Sequence, residues 1–162
     1  MQRLYMTLVL MSAIWAAGGD GPRLQLTWLN ANPSVGSNGA IAVEVTGVKN
    51  IDTYSLEIAY DTSALSLIDA ALDAPLLNVT NPLRNTMQTL LPVIKKEPGR
   101  VSIAATLSGA GPSDQTGSIS GIFGIAVFKI LRDPTGAVTL KKARLLDPNG
   151  NDITIVSLVP SP

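Results

Sequence analysis

The sequence contains neither cysteine nor histidine. The first absence excludes disulfides and thiolate chemistry, and the second removes the usual imidazole general base. Together they eliminate nearly all zinc and copper ligand sets. Aromatic residues make up only 4% of the chain, which leaves little material for a sugar-stacking platform. Charge is sparse and balanced, with Lys+Arg and Asp+Glu at 12 each. The basic residues are scattered, so the footprint of a nucleic-acid or anionic-membrane binder is missing. What remains is 162 residues, 46% of them hydrophobic, enough for one domain with a proper core.

Near the start, Arg3 precedes "LYMTLVLMSAIWAAG", an apolar run that ends in small residues and has the form of an export signal cut after Gly18. The run is shorter than the roughly 20 apolar residues of a membrane span and is interrupted by Gly18, Gly19 and Asp20. The expected organisation is a signal peptide over 1–18, a short segment over 19–23, a folded domain over 24–159 and a tail over 160–162. No span is expected in the mature chain, and its expected location is secreted, cell-surface or periplasmic. Without disulfides, such a domain depends on its core alone.

From Leu24 onward the punctuation is Gly, Pro, Asn and Asp, and the runs between alternate with period two. "IAVEV" sets Ile41, Val43 and Val45 opposite Ala42 and Glu44. "TYSLEIAY" sets Tyr54, Leu56, Ile58 and Tyr60 on one face and Thr53, Ser55, Glu57 and Ala59 on the other. "RVSIAATLS" places Val101, Ile103, Ala105 and Leu107 opposite small residues. Residues 87–95 read as an edge strand, because Pro92 cannot donate to a ladder, and "EPGR" turns it back as a hairpin. "AVTLKKARLL" and "ITIVSLV" read as the last strands, and 108–121 as a Gly/Ser loop. About nine short strands and no convincing helix predict an all-β, two-sheet β-sandwich with jelly-roll topology.

Two stretches carry candidate sites. In "LLDPNGNDI" the oxygens of Asp147, Asn149, Asn151 and Asp152 suit a hard cation. A calcium site, however, needs six or more converging oxygens, and this turn lacks a distal bidentate Glu, so a closing hairpin is the expected role and no cofactor is expected. "GIFGIAVFKI" is apolar on both faces, with Ile122, Ala126, Phe128 and Ile130 on one and Phe123, Ile125 and Val127 on the other. Either another segment covers the second face, or Phe123, Ile125 and Val127 form an exposed patch that docks a partner.

The order of these segments resembles the cohesin domain, a jelly roll of the carbohydrate-binding-module superfamily. The landmarks are "PSVGSNGAIAVEVTGVKNI", "YSLEIAYDTSALSLIDA", "GRVSIAATLSG", "GIFGIAVFKI" and the Asp-x-Asn-Gly turn of "ARLLDPNGNDI". The resemblance implies a non-catalytic module that binds dockerins, small calcium-loaded helical modules, through a largely flat sheet face. Where the family's dockerin-reading strand carries Asn and Asp among its outward positions, this chain has Thr53, Ser55, Glu57 and Ala59. Those four residues, with Phe123, Ile125 and Val127, are the candidate partner-binding set. A polysaccharide is the alternative partner, in a carbohydrate-binding or structural module of a surface assembly. An enzyme is not expected: Asp61, Asp69, Asp133, Asp147 and Asp152 all lie beside turn signals, where Asp bonds local backbone.

Overall fold

A computed structural model describes residues 21–30, 33–85, 89–108 and 117–159. The expected export signal and most of the 108–121 loop lie outside the described residues. Nine strands follow in order: β1 (Arg23–Trp28), β2 (Asn38–Val48), β3 (Thr53–Tyr60), β4 (Leu65–Ala71), β5 (Thr89–Glu97), β6 (Arg100–Ser108), β7 (Ile119–Ile130), β8 (Val138–Leu146) and β9 (Ser157–Val159). Short 3₁₀ turns at Pro75–Leu77 and Pro82–Asn85 interrupt the connection between β4 and β5. Among the described residues no helix is long and apolar enough to cross a membrane.

The strands form two sheets, β4-β7-β2-β1-β9 and β5-β6-β3-β8. Only β1–β2 and β5–β6 are sequential neighbours in one sheet. Every other connection crosses the sandwich, giving the jelly-roll topology. The one parallel pair, β9 with β1, closes an edge. The last strand is therefore shorter than "ITIVSLV" predicts. After the Asp147–Gly150 turn the chain makes a single bridge, Leu146 to Asp152, then leaves β8 and crosses to the other sheet.

Period-two alternation decides what lies inside. Ile41, Val43 and Val45 of β2, Tyr54, Leu56 and Ile58 of β3, and Val101, Ile103, Ala105 and Leu107 of β6 all sit in one buried cluster. The β5–β6 hairpin turns at Pro98-Gly99, where Gly99 has φ +75°, a conformation that costs glycine little. Proline is tolerated at position 92 because β5 is an edge.

Register shifts interrupt the alternation in β4, β7 and β8, and the one in β7 matters most for the candidate site. Glu44 of β2 pairs with Ile122 of β7, but Val43 pairs with Gly124, so Phe123 is an extra residue in a β-bulge. A Cβ on Gly124 would meet Ile103 Cδ1 at 3.0 Å, so Phe123 and Gly124 both face the core. The phase of everything earlier in β7 is thereby shifted by one position.

Candidate functional site

The bulge reverses the expected sides of Ile122 and Phe123, and burial alters the expectation for Ile125 and Val127. Phe123 is fully buried in the main core, edge-to-face with Tyr54 at 5.0 Å, and Ile122 takes the outer side in its place. Ile125 does face outward, yet it is only 1% exposed. With Ala40 and Ala42 of β2 it forms a second, smaller apolar cluster, against which Leu29, Ala74, Val79, Ile122 and Val127 pack. Val127 is half-buried there. The expected exposed patch of Phe123, Ile125 and Val127 is therefore absent: Phe123 points inward, Ile125 is covered by a cluster that includes Ala74 and Val79 of the 72–85 segment, and Val127 is half-buried beside it.

A buried polar network pins that covering segment. At the bulge the Phe123 carbonyl accepts from the Tyr54 hydroxyl at 2.6 Å and from Asn81 Nδ2 at 3.2 Å. Asn81, the buried polar residue of the core, also donates Nδ2 to the Tyr54 oxygen at 2.8 Å and accepts from the Leu83 amide at 3.0 Å. Its own amide donates to Asp73, which is held by Arg84 at 2.8 Å. Every polar atom named here is partnered, as burial in low dielectric requires. Burial pushes the Tyr54 hydroxyl well above the ordinary tyrosine range, against a smaller opposing effect of the Asn81 hydrogen bond.

The outer face of the four-stranded sheet is different in kind. Its strands place residues in four rows: Leu91-Thr106-Thr53-Leu146, Val93-Ala104-Ser55-Arg144, Lys95-Ser102-Glu57-Lys142 and Glu97-Arg100-Ala59-Thr139. Small side chains fill the centre, from Ser102, Ala104 and Thr106 on β6 to Thr53, Ser55 and Ala59 on β3. Leu91 and Val93 stand on the β5 side at 50% and 56% exposure. The result is a flat, accessible surface with an apolar edge.

All four β3 candidates, Thr53, Ser55, Glu57 and Ala59, lie on this face, but β7 belongs to the other sheet. The seven residues proposed from sequence thus do not share one surface. Leu91, Val93, Ala104, Thr106, Lys142 and Arg144 were missed, although the alternation of "TLLPVIKKE" and "RVSIAATLS" already places the β5 and β6 members on a common outer side.

Charges on this face are partly paired. Arg100 Nε donates to Glu97 at 3.0 Å, and Nη1 lies 4.0 Å from Glu57. Hydrogen bonding by Arg100 lowers the Glu97 pKa. Arg144 binds both oxygens of Asp152, at 2.6 and 3.2 Å, which depresses the Asp152 pKa.

That pairing bears on the candidate cation site. Asp147 accepts from the side chain of Asn151 at 3.0 Å and from the amides of Asn149 and Asn151 at 2.9 Å each, which lowers its pKa. The carboxylates of Asp147 and Asp152 are thus engaged with separate partners within and beside the turn. Among the described residues no group of three or more acidic, His or Cys side chains is placed to hold a metal. An open cleft of about 400 Å³ lies between Leu67 of β4 and the β5 end, lined also by Tyr60, Pro98 and Leu131. Its Lys96 and Glu97 are paired with Asp69 and Arg100.

The architecture has counterparts among solved structures. The chain is similar to the second type II cohesin module from the cellulosomal adaptor ScaA scaffoldin of Acetivibrio cellulolyticus, with TM-score 0.69 and 14% identity over 88% of this chain and 95% of that one. It is similar to the non-cellulosomal cohesin of the hyperthermophilic archaeon Archaeoglobus fulgidus, at 0.60 and 14% over 87% and 88%. A third is the sixth cohesin of Acetivibrio cellulolyticus scaffoldin B, in complex with a Cel5 dockerin mutant, at 0.59 and 19% over 87% and 96%. No protein-family model matches the chain, and no curated protein matches its sequence. The likeness is one of fold, and it agrees with the resemblance carried by the sequence landmarks: the chain has a cohesin-like β-sandwich.

Proposed function

We propose that this protein is an exported, non-catalytic recognition module that binds a dockerin-type or other protein partner through the outer face of its four-stranded sheet. The observation that carries the reading is the contrast between faces. On one, the apolar part around Ile125 is covered by the protein itself, while the other presents Leu91 and Val93 beside a flat field of small residues. A patch of this kind accommodates the roughly 800 Å² per partner of a standard interface without a concave pocket. Thr53, Ser55, Glu57 and Ala59 are its β3 contribution, Val93 its strongest anchor candidate. Export of a domain spanning 24–159 after removal of 1–18 is part of the same proposal.

The carbohydrate alternative is weaker. Tyr54 and Phe123 are buried, half-buried Tyr60 meets the buried Phe128 ring at a tilt with centroids 5.0 Å apart, and Trp28 packs across Gly39. The four rows of the proposed face contain no aromatic side chain on which a sugar ring could stack.

The test is binding to calcium-loaded dockerin modules and to the secreted fraction of the source organism. A partner bound by the wild-type chain should bind at least about thirtyfold more weakly to Val93→Asp and to Ser55→Trp, corresponding to roughly 2 kcal/mol for loss of an anchor or of close approach. Normal binding by both variants, each still folded, sinks the proposal. So does turnover of a glycosidic, ester or peptide substrate that one Asp→Asn change abolishes.

A further inference from the structure

Resting on that reading of the sheet face, we propose that its partner is an acidic protein surface: carboxylates flanking an apolar anchor. The chain as a whole is neutral. Yet the strands of this one sheet carry Lys95, Lys96, Arg100, Lys141, Lys142 and Arg144 against Glu57 and Glu97, and Lys96 alternates to the other side of β5, where it pairs with Asp69 of β4. The two guanidiniums are occupied, Arg100 by Glu97 and Glu57 and Arg144 by Asp152. The other lysines make no such close pair, although the charge of Lys95 contributes, after Arg100, to lowering the Glu97 pKa. Among the described residues Lys95, Lys141 and Lys142 have no carboxylate within ion-pair distance.

Their placement is specific. Lys95 and Lys142 end the same cross-strand row, Lys95-Ser102-Glu57-Lys142, three strand spacings and thus about 14 Å apart. A register shift in β8 inserts Lys141 beside Lys142, doubling the cationic charge on that side. A partner seated over Val93, Ala104 and Ser55 therefore has one flank over Lys95 and the other over the Lys141-Lys142 pair. Carboxylates on those flanks are attracted and a basic partner is repelled, which sets encounter rate and specificity more than raw affinity.

A protein suits this face better than a polyanion. A nucleic acid or acidic polysaccharide gains nothing from the exposed Leu91 and Val93. It also asks for a continuous basic stripe, whereas here Glu57 and a field of small and apolar residues separate Lys95 from Lys142. The bland reading is that these lysines guard the edges, since β5 and β8 are the edge strands of their sheet.

The experiment selects binders to the immobilised domain from a displayed library of helical miniproteins in which Asp, Glu, Lys and Arg are equally represented at the randomised surface positions. Their affinities are then measured for wild type, Val93→Asp and Lys95→Glu/Lys142→Glu, each checked for an unchanged melting curve. Acidic residues are expected to outnumber basic ones in the selected pool. Binding should fall with salt and drop at least about tenfold on the lysine reversal. If Val93→Asp abolishes binding while the lysine reversal and salt do nothing, the face docks proteins, but the lysines only guard edges and the acidic-partner inference is wrong. If neither variant matters, the sheet-face reading itself fails. Inorganic polyphosphate is the second probe: tight binding to wild type and Val93→Asp alike, lost on the lysine reversal, replaces the acidic protein with a polyanion.

Discussion

The two outer faces of the sandwich answer the same problem in opposite ways. The five-stranded sheet turns Ala40, Ala42 and Ile125 outward and then covers them with Ala74 and Val79 of its own chain. The four-stranded sheet turns out Ser55, Ala59, Ser102 and Ala104 and leaves them open, with Leu91 and Val93 beside them. Apolarity alone is therefore a misleading guide to a docking surface. A strongly apolar outer face cannot stay in water, and here the molecule buries it internally. A face that must be soluble alone and still receive a partner carries small residues and a few anchors.

The sharpest way to break this comparison is a charge on each face. Ile125→Asp places a carboxylate under the 72–85 segment without a partner and should cost roughly 3 kcal/mol or more, lowering the melting temperature by about 10 °C or abolishing folding. A stable, cooperatively folded Ile125→Asp protein contradicts the covered face.

Next in size is the latch that holds the cover. Asn81→Leu leaves the Tyr54 hydroxyl without its Asn81 donor and removes the acceptor for the Leu83 amide, so a loss of about 1–3 kcal/mol is expected in denaturant unfolding. Amide exchange at Ile125 should accelerate with it if the latch secures the cover. An unchanged exchange rate separates the network from the covering segment.

Acid acts through the exposed turns. Hydrogen bonds from Ser63, Thr135, Asn151 and Arg144 hold Asp61, Asp133, Asp147 and Asp152, respectively, below the ordinary aspartate value of 3.8 in the folded state; the unfolded chain lacks these bonds and takes up protons first. Stability is thus retained above pH 3.8 and falls as pH drops below it. Melting curves for Asp147→Asn and Asp152→Asn should show a flatter acid limb than wild type, and identical limbs refute the linkage.

The smallest effects are expected on the open face and the closing turn. Val93→Asp should alter folding stability by no more than about 0.5 kcal/mol, in contrast to Ile125→Asp. Millimolar calcium should leave the melting temperature unchanged, because the Asp147 and Asp152 oxygens already have separate partners; a rise of several degrees indicates a bound ion.

Much of the sandwich could be read from alternation. Period two suffices to put Leu56, Ile58, Val101 and Ile103 in the core, because successive side chains in a strand point to opposite faces wherever the ladder is regular. It also places Thr53, Ser55, Glu57 and Ala59 outside. The turn chemistry of Pro98-Gly99 and Asp147-Pro148-Asn149-Gly150 is equally local, set by residue types within a few positions.

Three features needed tertiary structure. Which strands share a sheet depends on pairings between residues distant in the chain, and so β3 and β7, both apolar and aromatic in sequence, end in different sheets. The bulge at Phe123 arises from a mismatch with β2 that no window of β7 alone contains, and it reversed the sides of Ile122 and Phe123. The cover over Ile125 depends on Asn81, a residue unremarkable among turn signals, meeting a carbonyl and a hydroxyl from two other strands. Alternation is a property of a strand by itself, whereas exposure is a property of what the rest of the chain brings against it.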